Sequence, residues 1–184
     1  MTSPGEPAFV RASEEVVVEW RAWRLVRGSF VAPDGERFER SYVTSPGAVG
    51  VVALSEGCVA LLRQYRPSLD RTIWEIPAGM RDKIGETPIE AAHRELEEEI
   101  GATGGIWRPL ARTVQAPGLT DAEMWIFLAT DVERGVPRPE GPEERAMTVH
   151  WMPVAEAVSM VDEGTIVNST AVVGLLAADR HGWR

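Results

Sequence analysis

Residues 86–102, "ETPIEAAHRELEEEIGA", read as a helix whose last turns crowd Glu95, Glu97, Glu98 and Glu99 immediately before Gly101. Thr87 is a good N-cap, Pro88 suits the first helical position, and Glu90 stands three residues after the cap, as in a capping box. Gly101 can supply a left-handed stop. At about 100° per residue, Ile89, Ala92, Leu96 and Ile100 share one stripe, which is the face to bury. Glu95, Glu98 and Glu99 share a second stripe, since residues three and four apart are neighbours on a helix surface. Glu97 points roughly the opposite way, toward solvent.

Local energetics disfavour that second stripe. Each anion in a final turn costs roughly 0.3–1 kcal/mol against the helix dipole. Like charges four apart add roughly 0.2–0.5 kcal/mol. A merely solvated acidic face leaves this wrong-end placement without a cause. A bound divalent cation supplies one, because Mg²⁺ and Mn²⁺ take hard oxygen ligands. The stripe is a candidate metal site.

The 184 residues, 44% of them hydrophobic, suffice for one domain with a substantial core. A formal net charge of -9 argues against broad nucleic-acid binding, which needs a basic surface. It does not exclude a phosphorylated small molecule met by a metal and a few arginines. The single Cys58 forms no internal disulfide and no zinc pattern, and it reads as a small core residue at a strand start. The N-terminus "MTSPGEPAFV" lacks the charged start and apolar run of a signal peptide. No apolar segment approaches the roughly 20 residues needed to span a bilayer. A soluble, cytoplasmic protein without nucleic-acid or membrane partners is expected.

Period and punctuation give the coarse organisation. "VVVEWRAWRLVRGSFV" (16–31) and "ERFERSYV" (36–43) are strand-like runs separated by "APDG", a hairpin signal. "GAVGVVAL" (47–54) and "CVALLRQY" (58–65) pair around "SEG". "RTIWEIPAG" (71–79) is a short extended run ahead of the acidic helix. "LARTVQ" (110–115), "MWIFLATDV" (124–132) and "MTVHWMPV" (147–154) read as further strands, and 155–164 and 169–180 as terminal helices. Strands with a helix between them and helices at the end make a mixed α/β layer fold.

Extended upstream, the helix becomes "GMRDKIGETPIEAAHRELEEEIGA", residues 79–102. This resembles the Nudix box: Gly, five spacers, Glu, seven spacers, then R-E-(apolar)-x-E-E-x-G-(apolar). Every position from Glu86 onward matches, through Arg94, Glu95, Leu96, Glu98, Glu99, Gly101 and Ala102. One departure is a six-residue spacing between Gly79 and Glu86, which lies in a loop and leaves the helical face in register. The resemblance implies an α/β/α sandwich with a mixed sheet that hydrolyses nucleoside diphosphates linked to another group. It implies that Glu95, Glu98 and Glu99 bind Mg²⁺ or Mn²⁺, with Glu86 nearby and Arg94 holding carboxylates in position.

Three more stretches resemble the ADP-ribose pyrophosphatase subfamily, over roughly Tyr42 to Ala178. "WEIPAG" resembles the segment in which a carbonyl before the box glycine is a metal ligand, here that of Ala78. Pro117, sixteen residues after Gly101, matches the subfamily's downstream proline. "RQYRP" resembles the strand and loop that bring an arginine toward the phosphates, which selects Arg66. Trp74 reads either as core or as a side chain beside the base, and Glu75 either as a nucleoside contact or as an ordinary strand residue. His93 and His150 have no ligand partners at motif spacing and read as structural. The subfamily's catalytic base often comes from a mobile loop before the last strand. Here that loop offers Glu140, Glu143 and Glu144, with Glu144 favoured and Glu143 next because both lie near the strand "MTVHW".

The leading function is hydrolysis of ADP-ribose to AMP and ribose 5-phosphate. The alternatives are the same chemistry on a GDP- or UDP-linked sugar, and a non-catalytic sensor that binds ADP-ribose. The complete set of acids argues against the sensor. Residues 1–43 form an N-terminal β-hairpin region, and 44–184 the hydrolase domain. The first segment carries Trp20, Trp23, Leu25, Phe30 and Phe38, more large apolar side chains than one exposed hairpin leaves uncovered. It packs either on its own domain or, as in the resembled subfamily, on a partner subunit. A homodimer is therefore expected, with Trp23 stacking on a base held by the other chain.

Overall fold

The computed structural model describes residues 8–138 and 141–183, which fall into two compact units. The first comprises residues through Gly47 together with Val114–Ala122; the second comprises Ala48–Thr113 and the chain from Glu123 onward.

In the first unit, β1 (Val10–Trp20), β2 (Trp23–Val31) and β3 (Arg37–Thr44) form an antiparallel sheet in that order. The run 16–31, expected as one strand, is two. It folds back at Arg21–Ala22, with Arg21 in the left-handed region at φ 50° and Trp20 paired with Trp23. The "APDG" hairpin forms as expected between β2 and β3, with Gly35 at φ 90°. Segment 114–122 joins this unit through Val43, whose N–H donates to the Leu119 carbonyl at 2.8 Å. β1 is exposed along its whole length, including Val16, Val17, Val18 and Trp20.

The second unit is a seven-stranded mixed sheet between helices. Its strands are β4 (Ala48–Ser55), β5 (Cys58–Arg66), β6 (Arg71–Glu75), β7 (Ala78–Met80), β8 (Thr103–Val114), β9 (Glu123–Glu133) and β10 (Thr148–Pro153). The central order is β10-β5-β4-β9-β8, with β6 on β5 and β7 on β4. β4 runs parallel to β9 from Ala48 to Ala53 and pairs with β5 only at Leu54 and Ser55. Buried on both faces, β4 reads as a continuous apolar run, as a covered central strand should. Val49, Val51 and Ala53 pack with Ala92, Leu96 and Ile100 of α1 (Pro88–Ile100). Val52 and Leu54 pack with Ala157, Ala171 and Leu175, from α3 (Val154–Asp162) and α4 (Ser169–Arg180). The layers are α/β/α. A one-turn helix, α2 (Pro142–Arg145), lies in the loop before β10. Among the described residues, no helix is long and apolar enough to cross a membrane.

Candidate functional site

α1 begins and ends where its sequence dictates. The Thr87 hydroxyl accepts from the Glu90 N–H, the Glu90 carboxylate accepts from the Thr87 N–H at 2.8 Å, and Gly101 closes the helix at φ 68°. These caps fix the rotation at which its side chains meet the sheet.

Arg94 organises the acids. Its Nε and Nη2 donate to the two oxygens of Glu86, each at 2.9 Å. Its Nη1 donates to Glu95 at 2.5 Å and to Glu98 at 3.1 Å, and Nη2 also reaches the Met80 carbonyl at 3.1 Å. A planar guanidinium can serve so many acceptors because its donors form a rigid fork. Lys83, from the loop between Gly79 and Glu86, adds a second cation 3.5 Å from Glu98. Glu99 is nearly buried and accepts from the Ala78 N–H at 2.7 Å. Glu97 leaves this group, as its helical phase requires: it is 45% exposed and pairs with Arg138 at 3.2 Å.

The electrostatics are uneven. Hydrogen bonding from Arg94 holds the Glu86 carboxyl below its ordinary value. Burial pushes Glu95 up, and pushes Glu99 well up, against the opposing pull of their hydrogen bonds. Gly79 is part of the packing: a Cβ there would stand 2.0–2.3 Å from the Glu95 carboxylate, so that carboxylate lies over bare backbone. Among the described residues, no three His, Cys, Asp or Glu side chains are placed to hold a metal ion; Glu86, Glu95 and Glu98 are turned onto Arg94 instead.

Arg66 and Glu75 meet across β5 and β6. Arg66 Nε and Nη2 donate to the two Glu75 oxygens at 2.8 and 2.5 Å, which raises the guanidinium above its usual range. Glu143 and Glu144 both lie on α2, which packs against β5. Glu143 is near enough to Arg66, and Glu144 near enough to Glu99, to influence their ionisation. Glu140 lies outside the described residues.

Trp74 is placed elsewhere. Strand alternation sends it to the face opposite Glu75, where it packs with the α3/α4 layer. There it meets Arg63 and the edge of His150, each at 5.0 Å, beside a shallow cavity of about 370 Å³. His93 lies against Trp107 with ring centroids 3.9 Å apart. Trp23 and Pro117 belong to the first unit. Lys83 and Arg138 were not singled out in the sequence; no spacing rule links either to α1, and only the folded loops bring them there.

The family model for the NUDIX domain matches residues 44–170. The chain belongs to the Nudix hydrolase family. Members of that family generally use divalent metal ions. This Nudix chain is 40% identical over 174 residues to an ADP-ribose pyrophosphatase of Mycobacterium tuberculosis, covering 94% of this chain and 84% of the relative. It is 34% identical over 138 residues to an ADP-ribose pyrophosphatase of Bacillus subtilis, covering 74% of each. A crystal structure of an ADP compounds hydrolase shares the fold, with a TM-score of 0.81 at 21% identity over 98% of this chain and 96% of the other.

Proposed function

We propose that this Nudix hydrolase cleaves the pyrophosphate of ADP-ribose to AMP and ribose 5-phosphate. The observation that carries the reading is a group of four carboxylates at α1: Glu86, Glu95 and Glu98 gathered on Arg94, and Glu99 held by the Ala78 N–H. Arg94 and Lys83 offset only part of that charge, and hard oxygen donors in such number suit a divalent cation. The relatives' names supply the substrate class.

Glu95, Glu98 and Glu99 would hold Mg²⁺ or Mn²⁺, with the Ala78 carbonyl and Glu86 completing the donor set. The ion supplies charge neutralisation for the pyrophosphate and activation of water. Arg94 keeps the carboxylates apart and oriented. Arg66, held flat by Glu75, presents a cation to the phosphates. Glu144, or Glu143 beside it, takes the proton of the attacking water. Trp23 and Pro117 contribute to nucleoside binding, with Trp23 acting on the substrate of a second copy in a homodimer. The exposed apolar side chains of Val16, Val17, Val18 and Trp20 on β1 support that assembly.

The test is a panel of ADP-ribose, GDP-linked and UDP-linked sugars with Mg²⁺ or Mn²⁺, products read by mass. AMP and ribose 5-phosphate formed fastest from ADP-ribose supports the reading. Faster turnover of a GDP- or UDP-linked sugar moves the substrate, and no turnover of any compound removes the activity.

A further inference from the structure

Three neighbouring strands of the second unit set side chains in one row. Thr148 of β10 pairs with Arg63 of β5, and Arg63 pairs with Trp74 of β6, so all three stand on one face of the sheet. His150 and Thr72, each two positions along its strand, share that face. Arg66 and Glu75 stand on the other face, because an odd step along the strand separates them from Arg63 and Trp74.

The row is held by its own contacts. The Arg63 Cζ lies 5.0 Å from the centre of the Trp74 ring, and the His150 ring meets the same ring at 5.0 Å and 72°. Thr148 Oγ1 is 2.9 Å from His150 Nε2. With Thr72 and Ala146, these side chains line the cavity of about 370 Å³, near the lower end of the range of small-molecule sites. Donors dominate its wall: Arg63 brings a fork of N–H groups, and Thr72 and Thr148 bring a hydroxyl each. No carboxylate lines it, in a chain of net charge -9. Among the described residues, Arg63 has no ion-pair partner; its guanidinium lies over Trp74. Stacking uses the flat of a guanidinium and leaves the fork for an oxyanion.

We propose that this cavity is a second ligand site, on the reverse of β5 and β6 from Arg66 and Glu75, which takes the phosphate group of a phosphate monoester. Arg63 and the two threonine hydroxyls donate to the phosphate oxygens, while Trp74 and Ala146 support the body of the molecule. Strands rather than loops carry five of the six lining residues, so the donors are in place before a ligand arrives. The inference is independent of which nucleoside diphosphate the enzyme hydrolyses.

Isothermal titration calorimetry on the full chain tests it, with AMP, ribose 5-phosphate and inorganic phosphate as separate probes. Arg63→Met keeps an apolar stem on Trp74 and removes the fork, and Thr72→Val removes one hydroxyl at constant shape. Arg66→Met is the control on the opposite face, and circular dichroism checks each fold. At least one of the two esters is expected to bind more tightly than inorganic phosphate. Arg63→Met is expected to weaken that ester about ten- to a hundredfold, the loss of a charge-assisted fork, and Thr72→Val about three- to tenfold. Arg66→Met is expected to leave that affinity within about twofold of wild type. If Arg63→Met fails to fold, Thr72→Val carries the test. Binding lost in Arg66→Met and kept in Arg63→Met and Thr72→Val places the probe on the pyrophosphate face and overturns the proposal. No binding of either ester, or binding no tighter than that of inorganic phosphate, also overturns it.

Discussion

The Arg94 guanidinium grips Glu86 through two parallel hydrogen bonds of 2.9 Å, tying the loop before α1 to the middle of that helix. Lysine at position 94 keeps the charge but cannot fork between two oxygens while also serving Glu95 and Glu98. Arg94→Lys is expected to lose about 1–3 kcal/mol of stability, as partly buried carboxylates lose donors. Denaturant unfolding measures this, and an unchanged midpoint and slope would mean that the acids do not need the fork.

Gly79→Ala tests the floor under Glu95. The added Cβ meets a side-chain carboxylate rather than main chain, so the fold survives and the carboxylate moves. We expect kcat reduced at least about tenfold with Tm within a few degrees of wild type. Wild-type turnover would mean that the position of Glu95 is unimportant.

Cation binding to the folded state alone raises stability by mass action, and here it also relieves repulsion among the carboxylates. Millimolar Mg²⁺ or Mn²⁺ is therefore expected to raise Tm, and a chelator to reverse the rise. A Tm that ignores both ions, with or without a substrate analogue, contradicts a metal site.

The proposed dimer is tested on β1, where Val16 and Val18 are each 49% exposed. Val16→Glu with Val18→Glu should weaken self-association in light scattering, and Trp23→Ala should raise KM for ADP-ribose. A wild-type monomer at micromolar concentration removes the shared pocket. A dimer whose Trp23→Ala variant keeps its KM retains the interface without it.

The parts of this molecule that were legible in the sequence are those set by near neighbours. The caps of α1, its buried stripe and the divergence of Glu97 from Glu98 and Glu99 follow from helical spacing, and each is present in the structure. The break at Arg21–Ala22 was hidden because no Gly, Pro or Asn stands there, and a non-glycine residue takes the left-handed turn. Period-two alternation could have separated Trp74 from Glu75, since adjacent strand residues face opposite ways. The Arg66–Glu75 pair and the approach of Arg138 to Glu97 depend on strands and loops meeting in space. No local pattern announces them.

The central claim is that one face of α1 holds the ion that makes pyrophosphate hydrolysis possible. Turnover of ADP-ribose at saturating Mn²⁺ by Glu98→Gln, Glu99→Gln and Glu97→Gln tests it most directly, with folding checked by circular dichroism. The first two are expected to lose at least about two orders of magnitude in kcat while remaining folded, and Glu97→Gln to stay near wild type. Comparable losses in all three, or none in any, would contradict the account.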